Sequence, residues 1–234
     1  MPGPETVDLD SLTRVAQDYL KVIWSATEWG EPPITTKALA ARFGTSAANV
    51  TETMRRLAAQ GLVVYAPYKP VRLTTVGTAC AVAMVRRHRL LETFLVTVLG
   101  YRWDEVHEDA ERLEHDVSDL LLARIDATLG HPTADPHGDP IPDAVGHTSR
   151  PVGALTLANV RSAGRYRVHR VSDADPLVLA AAAALGVTPS AVVHVHAVPS
   201  GDEAGPLVST GRGRSTVPAP LAAAVWVSEA PEAD

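Results

Sequence analysis

Apolar residues recur at intervals of three and four along most of the first 130 residues, a spacing that places them on one face of an α-helix. The first predicted helix begins near Asp10 and ends before the segment Gly30-Glu31-Pro32-Pro33, since glycine and proline break helices. Asp18 stands in the middle of this helix, beside its apolar stripe. The stripe consists of Leu12, Val15, Ala16, Tyr19, Leu20, Ile23 and Trp24.

Two short helices follow, joined by the turn Gly44-Thr45. The first covers residues 37–43, and the second runs from a Ser46 cap to about residue 60 and stops at Gly61. This arrangement indicates a helix-turn-helix; a plain pair of antiparallel helices is the alternative. The next residues, 62–65 and 71–73, read as two short strands of a β-hairpin. A hairpin directly after the second helix predicts a winged helix-turn-helix.

The outward face of the second helix suits entry into a DNA major groove. It begins with small residues and continues with polar and basic ones. Lys69 and Arg72 lie on the hairpin, where they would meet phosphates. The candidate DNA-binding residues are Ser46, Ala48, Asn49, Thr51, Glu52, Arg55, Arg56, Lys69 and Arg72.

A long helix is predicted from Thr75 to Leu99, with enough apolar residues for a dimer interface. An acidic helix follows from about Trp103, and a shorter one capped by Ser118 runs to Leu129. Residues 131–151 contain five prolines and are expected to form an irregular connector. From residue 151 onward, short alternating strands surround an Ala-rich helix at 176–185, which predicts a small β-barrel. The fold class is mostly α with this C-terminal barrel.

Imidazoles and carboxylates line up on two of these helices. His107, Glu111, Glu114 and His115 stand at i, i+4, i+7 and i+8, so they share one side of the acidic helix. His88 and Glu92 repeat the i, i+4 spacing on the long helix, which looks buried. Oxygen and nitrogen donors suit a hard to borderline divalent cation. The alternative is an ordinary solvated acidic helix.

Composition limits the class of protein. The 234 residues are 46% hydrophobic and 21% charged, as in a globular protein. The sequence shows no apolar run near 18 residues and no leader pattern, so we expect neither a membrane span nor an exported precursor. Cys80 is the sole cysteine, which excludes an intramolecular disulfide and a cysteine-based zinc site. A cytoplasmic location is expected.

Charge is distributed unevenly along a chain whose net charge is −6. Residues 30–89 carry nine Lys/Arg and two acids, a net of +7, whereas residues 101–150 carry four Arg and twelve acids, a net of −8. The basic part suits contact with phosphates. The acidic part suits binding of a cation.

Four stretches together resemble the diphtheria toxin repressor family of metal-dependent transcription regulators. They are the winged helix, "RRHRLLETFL" (86–95), "VHEDAERLEHDVSD" (106–119) and "PHGDPIP" (136–142). The resemblance covers residues 18–142 well and the C-terminal part weakly. It implies a winged-helix domain at 1–75, a helical dimerisation and metal domain at 76–145, and an SH3-like (FeoA-type) barrel at 146–234.

The resemblance also implies the ligands of two metal sites per subunit. By position, one site would take His88, Glu92 and His107, and the other Asp18, Glu111, Glu114 and His115. In the barrel, Asp175 aligns with a ligand of the iron-responsive branch. Three histidines of the connector, His131, His137 and His147, are expected to serve the loop instead of a metal.

Two positions separate the iron-responsive and manganese-responsive branches of that family. The iron branch has Met where this chain has Asp18, and Cys where it has Glu111. Carboxylates in place of sulfur favour Mn(II) over softer metals. Lys21, however, stands where the two-domain manganese branch has a Glu. That difference favours a three-domain arrangement with separate sites over a two-manganese cluster.

The sequence therefore predicts a homodimeric, manganese-dependent repressor of metal-uptake genes that binds double-stranded operator DNA. Metal would fix the angle between the DNA-binding and dimer domains, so that both recognition helices fit the operator. No membrane and no small-molecule substrate are expected as partners. An Fe(II)-dependent repressor of the same architecture is the first alternative. A zinc hydrolase is remote, because Glu111-x-x-Glu114-His115 has Glu where the inverted zinc motif has His. A metal-storage or adaptor protein is disfavoured by the basic winged helix.

Overall fold

The computed structural model describes residues 9–67, 69–143, 146–149, 151–197 and 205–231. The chain divides into two compact units, one of residues 1–88 with 142–147 and one of residues 89–141 with 148–234. No described helix combines the length and the apolar character needed to cross a lipid bilayer.

The first unit is built on three helices, α1 (Arg14–Glu28), α2 (Thr36–Arg42) and α3 (Ala47–Ala59). Each begins at a hydroxyl cap, which accepts a hydrogen bond from a backbone N–H of the first turn: Thr13, Thr35 and Ser46. With Thr35 as its cap, α2 begins at Thr36, one residue before the predicted range of 37–43. The periodic apolar residues pack into one core that includes Leu20, Leu39, Val50, Met54 and Leu57.

A two-stranded antiparallel hairpin of β1 (Val63–Val64) and β2 (Arg72–Leu73) follows α3, as the wing prediction requires. The joint between this hairpin and the next helix is tight. The Thr74 hydroxyl donates to the carbonyl of Gly61 at 2.7 Å, and the Thr74 N–H donates to the carbonyl of Leu62 at 3.0 Å. A Cβ on Gly77 would overlap the Leu62 carbonyl oxygen. This explains the Leu-Thr-x-x-Gly pattern at residues 73–77.

Helix α4 (Thr75–Thr97) is longer than either neighbour and carries the boundary between the two units. The second unit then contains α5 (His107–Leu113) and α6 (Asp119–Thr128), the latter capped by Ser118 as predicted. α5 is shorter than expected, because Glu114 ends it as its C-cap and His115 lies in the following turn. Leu90, Leu95, Val106, Ala110 and Ile125 lie in the core of this helical part.

The connector at residues 131–143 is irregular, as predicted, and is held by buried charges. The Asp135 carboxylate accepts hydrogen bonds from the backbone N–H groups of His137 and Asp139, at 2.8 and 2.9 Å. Arg89 of α4 lies 3.7 Å from the Asp135 carboxylate and donates to the carbonyl of Pro140 at 2.6 Å. The buried Asp135 carboxylate is therefore compensated within the second unit.

The C-terminal part of the second unit is an antiparallel sheet of six strands in the order β3-β8-β4-β5-β6-β7. The strands are β3 (Leu155–Thr156), β4 (Gly164–Val171), β5 (Val192–Ala197), β6 (Leu207–Thr210), β7 (Gly213–Thr216) and β8 (Val225–Glu229). Two helices, α7 (Pro176–Leu185) and α8 (Ala219–Ala224), accompany it. The core contains Val168, Leu179, Val193, Leu221 and Val227.

The prediction of a closed barrel is wrong for the described residues. The end strands β3 and β7 each have one sheet neighbour and do not pair with one another. Alternation in the sequence revealed which residues face the core, but ring closure depends on pairing between distant strands. His194 and His196 of β5 are both exposed, and their rings stack with centroids 4.7 Å apart.

Candidate metal centre and nucleic-acid interface

Three side chains of the second unit converge on one point. His107, at the start of α5, places Nδ1 3.2 Å from Glu92 Oε1 of α4. The same Nδ1 lies 3.5 Å from Oδ2 of Asp173, in the segment after β4. Ligand atoms of the three residues lie within 4.8 Å of one another. Glu92 is fully buried, so two carboxylates and an imidazole share a restricted space.

The pKa of the Asp173 carboxyl shows that this environment favours its ionised form. Burial and the Glu92 carboxylate raise its pKa, but the nearby His107, His137 and Arg170 outweigh them, and its pKa lies below the ordinary value. A carboxylate that stays ionised beside a second carboxyl group needs positive charge close by. A divalent cation is one source of that charge.

His137 lies behind this cluster, in the connector. Its ring is fully buried, with Nδ1 3.5 Å from Oε2 of Glu92. Burial alone would lower the pKa of His137, but Glu92 and Asp135 raise it to about 10. Burial, together with the Asp139 and Glu92 carboxylates, raises the pKa of Asp135 to about 8. Glu92, Asp135 and His137 also bring ligand atoms within 4.8 Å of one another. From the sequence, His137 was expected only to serve the loop.

The second predicted group of ligands lies at the end of α5. Glu111 Oε1 is 3.6 Å from His107 Nε2, and Glu114 is fully buried beside His115, whose Nε2 is 3.8 Å from its carboxylate. Glu111 and Glu114 approach within 4.8 Å. The structure thus brings Glu111, Glu114 and His115 together, and Glu111 lies next to the first cluster.

The two remaining predicted ligands of the helices belong to the first unit. Asp18 lies on α1 and is half-buried. His88 is buried and stands one turn before Glu92 on the continuous helix α4, so the two side chains project from the same face. Lys21, one turn after Asp18, is buried with 7% of its surface exposed.

The structure places Asp175, the ligand predicted in the C-terminal part, at the start of α7. Its carboxylate accepts a hydrogen bond from the backbone N–H of Leu177 at 2.9 Å and caps α7, whose first residue is Pro176. Asp173, two residues earlier, occupies the place beside His107. The sequence offers two carboxylates in the run Asp173-Ala174-Asp175, and its spacing does not distinguish them.

The donor set fits a hard to borderline divalent cation. Among the described residues of the two groups, every side chain that could bind a metal offers oxygen or nitrogen. Cys80, the one thiol in the chain, is buried in the core of the first unit.

The recognition helix α3 presents the predicted residues to solvent. Ser46, Ala48, Asn49, Glu52, Arg55 and Arg56 are exposed, and Thr51 is half-buried. The Asn49 amide donates to the Thr45 hydroxyl at 3.0 Å. Arg55 and Glu52 approach to 3.9 Å with about two-thirds of each side chain exposed, so this pair is weak and its members can exchange partners.

The hairpin adds two positively charged side chains to the same unit. Lys69 and Arg72 are exposed, and the Lys69 N–H donates to the Ala66 carbonyl at 3.1 Å within the turn. This arrangement of recognition helix and basic hairpin, together with the nitrogen and oxygen cluster of the second unit, is that of a metal-dependent DNA-binding regulator.

Comparison with known proteins gives the family. Residues 11–71 match the iron-dependent repressor N-terminal DNA-binding domain, and residues 74–143 match the iron-dependent repressor metal-binding and dimerisation domain. The chain belongs to this family of metal-dependent transcriptional repressors, which includes the diphtheria toxin repressor and contains regulators rather than enzymes.

The relatives include both iron-dependent and manganese-dependent regulators. The iron-dependent repressor IdeR of Mycobacterium tuberculosis is 32% identical over 94% of this chain and 100% of its own length. A solved structure titled manganese-dependent transcriptional repressor complex with manganese is 49% identical, covers 92% of this chain and 100% of its own, and has a TM-score of 0.84. The manganese regulator SloR is 30% identical over 92% of this chain and 98% of its own, with a TM-score of 0.76.

Proposed function

We propose that this protein is a manganese-dependent repressor that binds operator DNA and controls metal-uptake genes. The observation that carries the choice of metal is the all-oxygen and nitrogen donor set, with Glu111 and Asp18 in place of sulfur ligands. Mn(II) accepts carboxylate oxygen readily, whereas thiolate and thioether favour softer metals. The 49% identical manganese repressor supports the same choice.

Two metal sites per subunit are proposed. Glu92, His107 and Asp173 would hold one ion, joined by His88 from the preceding turn of α4. Glu111, Glu114 and His115 would hold the other, with Asp18 as the ligand that the family resemblance adds from α1. A bound cation would supply positive charge to these carboxylates. The fold of the second unit determines which of its carboxylates come together.

DNA binding is assigned to the exposed residues of α3 and the hairpin. Asn49 and Glu52 lie near the start of α3 and would meet base edges, whereas Arg55, Arg56, Lys69 and Arg72 would meet phosphates. Ser46, Ala48 and Thr51 would lie close to the groove at the beginning of the same helix.

Homodimer formation is proposed through the helical part of the second unit. The sequence places the interface on the helix at 75–99 and its neighbours. The apolar residues of α4 are themselves largely buried within the chain. Large apolar residues remain exposed at its end and on the next helices, namely Val98, Leu99, Leu113, Leu120 and Leu121. Exposed apolar groups of this size are typical of an interface.

The proposal also includes a division of the chain into three domains, with boundaries at residues 75 and 145. The C-terminal sheet is proposed to be SH3-like.

Iron dependence is the second candidate, because IdeR relatives at 32% identity match the chain over almost its full length. The two candidates differ in one measurable property. Operator binding should be titrated by fluorescence anisotropy with Mn(II), Fe(II) and Zn(II) under anaerobic conditions. We expect Mn(II) to activate binding at the lowest free concentration. Activation by Fe(II) at a lower free concentration than Mn(II) would establish the iron-dependent alternative.

A further inference from the structure

The fully buried ring of His137 lies between two acceptors. Its Nε2 lies 2.7 Å from the backbone carbonyl oxygen of Trp103, which can only accept, so Nε2 carries a hydrogen. Its Nδ1 lies 3.5 Å from Oε2 of Glu92. The other oxygen of the same carboxylate, Oε1, is 3.2 Å from His107 Nδ1. Glu92 is thus held between two imidazoles, one at each oxygen.

The two imidazoles are not equivalent. His107 exposes about a third of its side chain and also meets Asp173 and Glu111, as a ligand at an accessible site would. His137 has none of its side chain exposed, and its second nitrogen is committed to Trp103. Asp135, the other carboxylate near it, already accepts two backbone hydrogen bonds and lies 3.7 Å from Arg89. These contacts favour a supporting role for His137 over a third metal site.

We propose that His137 is a positioning residue for the metal centre: its ring fixes the Glu92 carboxylate so that Oε1 faces His107 and the bound ion. The inference rests on the proposed metal site at Glu92, His107 and Asp173. Partners of this kind orient a ligand and strengthen metal binding without touching the ion.

The backbone of His137 supports the opposite side of the same site. Its carbonyl accepts a hydrogen bond from the Val171 N–H at 2.9 Å, at the end of β4. Gly138 lies so close to this strand that a Cβ there would overlap the carbonyl oxygen of His169. Two residues beyond Val171 the chain reaches Asp173. His137 therefore contacts the Glu92 carboxylate through its side chain. Its backbone is hydrogen-bonded to β4, the strand that leads to Asp173.

Two substitutions separate the two ring contacts. In His137→Asn the amide nitrogen can take the place of Nδ1 and still donate to Glu92, whereas in His137→Gln it can take the place of Nε2 and donate to Trp103. Each variant loses one buried polar contact, so both metal-free proteins should be destabilised. Only His137→Gln should weaken Mn(II) binding measured by calorimetry, by about ten- to a hundredfold. Equal Mn(II) affinities in the two variants would overturn the proposal.

A measurement on the unaltered protein avoids any effect of the variants on folding. With ¹¹³Cd(II) as a diamagnetic probe, the His107 ring should show cadmium–nitrogen coupling in the NMR spectrum and the His137 ring should show none. Coupling at His137 would make it a ligand and refute the positioning role. Glu92→Gln serves as the control for the site. If Glu92→Gln left Mn(II) binding unchanged, the proposed metal site would fail, independently of His137.

Discussion

Asp173, in the segment that follows the C-terminal strand β4, lies 3.5 Å from the His107 ring on α5. A carboxylate from the sheet therefore completes a group of side chains that the helices begin. This gives the C-terminal part of the chain a direct role at the metal centre in our proposal.

Asp173 and Asp175 offer a matched pair of tests. Asp173→Asn removes a ligating charge, so Mn(II) affinity should fall by more than the roughly tenfold that loss of a supporting contact gives. Asp175→Asn should leave Mn(II) affinity unchanged, because Asn also caps helices well. Isothermal calorimetry on both variants measures the difference. A larger loss for Asp175→Asn would restore the assignment made from sequence.

Metal selectivity should follow the two carboxylates that replace sulfur ligands. In the double variant Asp18→Met with Glu111→Cys, activation of operator binding should shift from Mn(II) toward Fe(II), Co(II) or Ni(II). Anaerobic anisotropy titrations with each metal measure the shift, and circular dichroism controls for an intact fold. An unchanged order of metals would show that these positions do not determine selectivity.

Asp18→Ala tests the link between metal and DNA. The variant retains Glu92, His107 and Asp173, so calorimetry should still detect Mn(II) binding. Operator affinity, however, should respond little to Mn(II), since α1 would no longer take part in the metal site. Full Mn(II)-dependent operator affinity in this variant would exclude α1 from the switch.

Lys69 and Asn49 should affect DNA binding in different ways. Lys69→Ala should weaken binding to all sequences alike and reduce the salt slope by about one, as loss of a phosphate contact does. Asn49→Ala should change the preferred sequence, because its exposed side chain lies at the start of the recognition helix. Binding to a library of operator variants at several salt concentrations distinguishes the two effects. An unchanged site preference for Asn49→Ala would show that the helix docks in another register.

Gly77→Ala should destabilise the first unit by about 1–3 kcal/mol, the usual range for an overpacked core. The added methyl group would overlap the Leu62 carbonyl that already accepts from the Thr74 N–H. Ala79→Ser, at an exposed position of the same helix, is the control. Urea denaturation measures both free energies of unfolding. Equal free energies of unfolding for the two variants would mean that the contact between hairpin and helix accommodates the methyl group without a loss of stability.

Local sequence patterns predicted most helices well, and they predicted long-range placement less well. Ser46 and Ser118 mark helix starts because a cap acts within three residues, and α7 has the bounds expected from its composition. The sequence did not predict the roles proposed for Asp173 and His137, because each reaches the cluster around Glu92 and His107 through the packing of a loop against β4. The open sheet was not predicted for a related reason: alternation shows which side of a strand is buried, but it does not show which other strand pairs with it.

The two ends of that open sheet also affect solubility. A free strand edge presents unpaired backbone groups to which a strand of another molecule can add, and short or charged edge strands resist such addition. Here β3 has only two residues, and β7 carries the exposed Arg214 and a glycine with φ of 120°. Both edges are therefore poor templates for growing fibrils.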